Sequence, residues 1–116
     1  MSDFTIYHNP RCSKSRQTLD LLEQHNIQPE IVLYLENPPT AAELAAILRK
    51  LDVRAEDLLR KGEEIYKNLE LKSIADQMAL IDAMAEHPKL IERPIVVKGN
   101  KAVLGRPPEN VLELIG

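Results

Sequence analysis

The spacing of apolar residues changes several times along the chain, and each change predicts an element. Phe4, Ile6 and Tyr7 mark a first strand over Asp3 to Tyr7, stopped by the Asn9-Pro10 turn signal. From Ser13 to about His25, Leu19 and Leu22 share one helical face, and Thr18 and Ser15 continue that stripe toward the helix start. Cys12 therefore falls at a helix N-terminus. Glu30 to Leu35 is nearly all apolar, the pattern of a strand buried on both faces in a parallel arrangement. Strand, helix and strand in that order predict a βαβ opening.

Asn37-Pro38-Pro39 stops the second strand. Thr40, with Glu43 three residues on, forms a capping box ahead of Leu44, Ile47, Leu48 and Leu51. Arg54 to Lys61 predicts a further short helix closed by Gly62 at C′. Another should begin near Ser73, with Asp76 completing a partial capping box. It turns Leu80, Ile81 and Met84 inward and ends before His87-Pro88. Pro94 to Lys98 and Lys101 to Leu104 then flank Gly99-Asn100, a two-residue hairpin signal of the primed type. After Arg106-Pro107-Pro108, a last helix is expected from Glu109 to Ile115. The elements describe an α/β protein of one domain, 1–116: a four-stranded mixed sheet flanked by helices, with a helical insertion at about 36–90.

Composition narrows the function. Fifteen Lys and Arg against eighteen Asp and Glu leave a formal charge of −3, which argues against a general nucleic-acid binder. The longest unbroken aliphatic or aromatic run, Ile31 to Leu35, is far short of a membrane span, and Met1 to Pro10 is polar where a secretory signal would be apolar. A cytoplasmic protein, monomeric and free of membrane or nucleic acid, is the expectation. A single cysteine, Cys12, excludes an internal disulfide, a C-x-x-C pair and a thiolate-rich zinc site.

Cys12 follows His8-Asn9-Pro10-Arg11 and precedes Ser13-Lys14-Ser15-Arg16, so three cations and no acid lie within residues 11–16. Cations and the open N–H groups of a helix start favour both a thiolate and a bound anion. An ordinary cysteine with a pKa of about 8.5 is only about 3% thiolate at pH 7, so a lowered value is the expectation here. The bland alternative is a small buried hydrophobe, but the polar, basic turn around Cys12 weighs against it. A phosphatase loop of the form Cys-x5-Arg is disfavoured, because Thr18 holds the sixth position after Cys12 and Arg16 comes two residues too early. Any two-electron reduction that ends in a disulfide needs two thiols, so the second must come from outside the chain, most simply from glutathione.

Five blocks carry a resemblance over the whole chain. They are Ile6-Tyr7-His8-Asn9-Pro10-x-Cys12-x-x-Ser15-Arg16, Leu33 to Pro39, Leu58-Leu59-Arg60-Lys61, Glu92 to Val97, and Gly105-Arg106-Pro107. In order and spacing the chain resembles the glutaredoxin-coupled arsenate reductase family, and within it an uncharacterised bacterial branch. The resemblance implies a thioredoxin-like fold, with a cis-proline at Pro94 facing Cys12. It also implies that Cys12 attacks arsenate and that Arg60, Arg93 and Arg106 hold the oxyanion, while His8 and Ser15 support the thiolate. Arg11 and Lys14 occupy variable motif positions and make the surroundings more cationic than the minimum chemistry requires, and Arg11 and Arg16 join His8 and Ser15 as residues expected to bind substrate or support the thiolate. Each residue keeps a plainer reading. Arg60 would complement a helix dipole, Arg93 could face solvent, Arg106 could be an ordinary residue of a stiff turn, His8 could cap a strand, and Ser15 could be a first-turn residue.

Planar guanidinium forks suit an oxyanion that gains charge as sulfur attacks, and one such donor is worth on the order of 3 kcal/mol in the transition state. The resemblance implies glutathione as co-substrate and glutaredoxin as partner, with no metal or bound cofactor. The substrate it implies is arsenate or a related oxyanion. Two rivals stand beside it: a thiol-disulfide reductase acting on glutathionylated substrates, and a regulator like the polymerase-binding Spx-type factors. The switch of the latter uses C-x-x-C where this chain has Ser15.

Overall fold

Residues 3–115 are described by a computed structural model, which divides into two compact units, one of residues up to Asn37 and from Arg93 onward, the other of Pro38–Glu92. Along the chain run β1 (Phe4–His8), α1 (Ser13–Gln24), β2 (Glu30–Leu33), α2 (Ala41–Leu51), α3 (Ala55–Leu58), α4 (Glu64–Asn68), α5 (Gln77–Glu86), β3 (Ile95–Lys98), β4 (Lys101–Leu104) and α6 (Leu112–Ile115). Single 3-10 turns lie at Leu71–Ser73, Pro88–Leu90 and Pro108–Val111.

The first unit holds a four-stranded mixed sheet in the order β2-β1-β3-β4. β1 runs parallel to β2 and antiparallel to β3, and β3 pairs antiparallel with β4. Ile6 lies opposite Ile31 on one side and Val96 on the other. Ile6 and Val96 are fully buried with Leu22 of α1, and Val111 and Leu114 from the C-terminal segment close the same cluster. Burying each such side chain contributes about 1.5–3 kcal/mol. The hairpin turns at Gly99, whose φ of +59° suits glycine, while Asn100 keeps a negative φ, the arrangement of a type II′ turn.

β2 departs from expectation twice. It stops at Leu33 rather than Leu35, because the chain turns there: the N–H groups of Glu36 and Asn37 both donate to Leu33 O, at 3.0 and 2.9 Å. It is also the edge strand, so Ile31 is 47% exposed instead of buried on both faces. An all-apolar run does not by itself separate a central strand from an edge.

In the second unit the Thr40–Glu43 capping box forms as the sequence predicts. Thr40 Oγ1 accepts from the Glu43 N–H (3.1 Å), and Glu43 Oε1 accepts from the Thr40 N–H (2.9 Å). Leu44, Ile47 and Leu48 of α2 and Leu80, Ile81 and Met84 of α5 are buried, and the two helices pack together. Two expectations give way. The helix predicted over Arg54 to Lys61 ends at Leu58, because Leu59 turns extended and bridges to Ile91. The Arg60 N–H then donates to Leu90 O at 2.7 Å, and the Glu92 N–H to Leu58 O at 2.8 Å. Gly62 is accordingly no left-handed C′ residue, and α4, which the sequence did not announce, follows it.

The second concerns α5, which starts at Gln77 rather than near Ser73. Ser73 closes a 3-10 turn, Ile74 is extended, and Asp76 itself caps the helix by accepting from the Met78 N–H at 3.2 Å. Among the described residues no helix is long and apolar enough to cross a membrane.

Candidate active site

The end of β1 and the start of α1 are joined by a short loop whose polar groups fix its shape. Asn9 O accepts from the Cys12 N–H at 3.0 Å, and Asn9 Oδ1 accepts from the Arg11 N–H at 3.0 Å. Cys12 is the extended N-cap residue of α1 and makes no side-chain capping bond, so its half-buried sulfur lies at the N–H end of the helix.

His8 and Ser15 are buried behind this loop. Their Nδ1 and Oγ atoms lie 2.6 Å apart, and Ser15 Oγ also accepts from the Asn9 N–H at 3.0 Å. Burial, and then the charge of Arg16, lower the pKa of His8 and so favour its neutral form. The Ser15 side chain thus ties β1 to the loop, and what reaches the sulfur from Ser15 is its backbone N–H.

The Cys12 thiol has a lowered pKa. Burial opposes the lowering and is the largest influence, but it is outweighed by the Ser15 N–H, the Arg93 charge, the Lys14 N–H and the Arg106 charge together. Arg106 Nη1 lies 3.8 Å from Cys12 Sγ, and it also donates to Arg93 O at 3.4 Å. The Arg93-Pro94 peptide bond is cis, as the resemblance implies, and Arg106-Pro107 is a second cis bond that the sequence did not announce.

The remaining candidates separate. Arg11 and Lys14 are exposed. Arg16 is exposed too, and its Nη1 donates to Pro10 O at 2.8 Å, so it braces the loop that leads into Cys12. Arg60 belongs to the other unit, outside any helix, where its guanidinium meets Glu63 at 3.4 Å and Glu92 at 3.9 Å. Its expected place in a last helical turn is therefore replaced by two ion pairs.

Three residues that sequence reasoning did not assign to the site hold the Arg106 loop. Thr18, fully buried on α1, has Oγ1 2.8 Å from Lys14 O and 3.1 Å from Gly105 O. Gly105 donates its N–H to Pro94 O at 2.9 Å. Its α-carbon sits so close to α1 that an added Cβ would come within 2.5 Å of Thr18 Oγ1 and 2.9 Å of Pro94 Cγ. Asn110 Nδ2 donates to Leu104 O at 3.1 Å and Arg106 O at 3.2 Å. A polar residue on the buried face of α1 was a readable signal for Thr18. Asn110 offered none.

The ArsC family profile matches residues 7–114. The chain is 55% identical over 113 residues to the uncharacterized protein YfgD of Escherichia coli strain K12, covering 96% of this chain and 95% of that one. It is 52% identical over 114 residues to an arsenate reductase of Haemophilus influenzae, covering 95% and 97%. Among solved structures, a putative arsenate reductase from Yersinia pestis superposes with a TM-score of 0.90 at 55% identity, over 95% of this chain and 98% of that one. An arsenate reductase from Vibrio cholerae gives 0.92 at 52% identity, over 95% of each chain. With these neighbours the mixed sheet and its flanking helices are a thioredoxin-like fold.

Proposed function

Because the chain belongs to the ArsC family, we propose that it is an arsenate reductase working through the single nucleophile Cys12 with glutathione and glutaredoxin. The observation that carries this reading is the Cys12 sulfur under the Arg106 guanidinium, with its pKa lowered by two backbone N–H groups and two arginine charges against the opposing effect of burial.

The Cys12 thiolate attacks arsenic(V), forming an S–As bond while one arsenate oxygen leaves as water after protonation. Arg93 and Arg106 stabilise the charge that builds on the remaining oxygens, a contribution of about 3 kcal/mol per donor. For Arg60 the same role rests on the family resemblance. A glutathione thiolate then attacks the Cys12 sulfur. The S–S bond forms as the S–As bond breaks, its electron pair stays on arsenic, and arsenite departs as arsenic(III). A glutaredoxin thiolate takes the glutathionyl group and returns Cys12 as thiolate, so the two electrons come from two outside thiols. The reaction needs no metal or bound cofactor, and a cytoplasmic glutathione pool would supply the reductant.

The test is arsenate-dependent NADPH oxidation with glutathione, glutaredoxin and glutathione reductase. Turnover by the wild-type chain and its loss to background in Cys12→Ser, with a wild-type melting curve for the variant, is the expected result. No arsenate-dependent signal above the Cys12→Ser control rejects the reading.

A further inference from the structure

Arg106 is an exposed residue, so the position of its guanidinium over the sulfur depends on its own bond to Arg93 O at 3.4 Å and on where its backbone is set. That backbone is held at three successive carbonyls. Leu104 O and Arg106 O both accept from the side-chain amide of Asn110, and Gly105 O faces Thr18 Oγ1. Thr18 has one proton for two acceptors, Lys14 O and Gly105 O, whereas the Asn110 amide has two protons for its two carbonyls and satisfies both. Asn110 is itself fixed, because its backbone N–H donates to Pro107 O at 3.0 Å. The amide therefore clamps the loop on both sides of Gly105, one residue from where the Arg106 side chain departs.

We propose that Asn110 is a positioning residue for the thiol chemistry: its side-chain amide sets the Arg106 backbone so that the guanidinium reaches Cys12 Sγ. The inference deepens the proposed function and rests on Arg106 acting on the thiolate. Asn110 touches neither the sulfur nor the oxyanion and acts only through the loop.

Two substitutions separate the amide from the space it fills. Asn110→Ala removes both, while Asn110→Leu keeps similar volume and loses both donors. The readout is the pH profile of Cys12 alkylation by iodoacetamide, which follows the thiolate population and does not depend on arsenate turnover. Either variant should move the profile to higher pH and slow alkylation at neutral pH about threefold. In an Arg106→Ala background, adding either substitution should change nothing further, because the group being positioned is gone. A melting curve for each variant identifies which are folded, and Asn110→Leu keeps the test valid should Asn110→Ala unfold.

A wild-type profile in folded Asn110→Leu overturns the proposal, and so does an equal shift in the presence and absence of Arg106. If Arg106→Ala alone leaves the profile unmoved, the assigned role of Arg106 in the proposed function fails and the positioning role fails with it. A shift in Arg106→Ala with none in the Asn110 variants removes the positioning role alone.

Discussion

The two units use arginine in opposite ways. In the sheet unit, Arg93 and Arg106 direct their charge at one sulfur, and Arg106 is aimed by a loop whose carbonyls are held in sequence. In the helical unit, Arg60 meets two carboxylates, Glu63 and Glu92. The backbones differ in the same sense. Around the thiol the chain has two cis peptide bonds, a glycine pressed against a helix and a cysteine at a helix cap. Among Pro38–Glu92 the core is aliphatic helix packing, with Leu44, Leu58, Leu80 and Met84 fully buried. Reactive geometry is concentrated where backbone groups, rather than side-chain volume, determine what fits.

The sharpest contrast is between two glycines. Gly105→Ala places a methyl within 2.5 Å of Thr18 Oγ1 and 2.9 Å of Pro94 Cγ, and neither a buried helix residue nor a proline ring can retreat. Overpacking of this kind costs about 1–3 kcal/mol. At Gly62 an added Cβ meets nothing within 4 Å, and its φ lies outside the left-handed range. Gly62→Ala should be neutral or stabilising by up to about 1 kcal/mol, through a less flexible unfolded chain. Urea denaturation of both variants measures the difference, and equal effects would end the contrast.

The same contrast explains what the sequence disclosed. The βαβ opening, the Thr40 capping box and the Gly99 hairpin follow from apolar period and local turn chemistry, and they are present in the structure. The limits of the short elements were not legible, because tertiary pairing decides them. Leu59 leaves the helix to bridge Ile91, and Leu33 O accepts two N–H groups that end β2. At the site, Cys12 and its cationic surroundings were legible from charge and element order. The loop clamp was not, because Asn110, although it reaches back only four and six residues to Arg106 O and Leu104 O, can do so only in the particular turn that the chain makes there.

An effect of intermediate size comes from pH. The folded Cys12 pKa lies below its unfolded value, so the thiolate is favoured by the native state. Its contribution to stability is complete above the unfolded value and is lost as pH falls through the folded one. His8 runs the same way in protonation and the opposite way in charge. Its folded pKa is also lowered, but the native state prefers its neutral form, so stability falls as pH drops below 6.5 and the unfolded chain takes up the proton first. Wild type minus Cys12→Ser, measured by urea unfolding across pH, should isolate the cysteine. The difference should rise from the acidic side, flatten once the ordinary thiol value is passed, and leave the His8 loss common to both proteins. A flat difference would mean that the charges around the sulfur do not favour the thiolate.

The smallest expected effect tests the helical unit. Arg60 and Glu63 are both partly exposed and 3.4 Å apart, so water screens much of their attraction. A double-mutant cycle of Arg60→Ala and Glu63→Gln, followed by urea denaturation, should give a coupling of about 0.5 kcal/mol or less at low salt. At about 1 M salt, where the screening length shrinks to about 3 Å, the coupling should disappear. A coupling several times larger and insensitive to salt would mean that Arg60 is held as tightly as the Arg106 loop. In that case fixed arginine geometry would be a property of both units, and the contrast between them would fall.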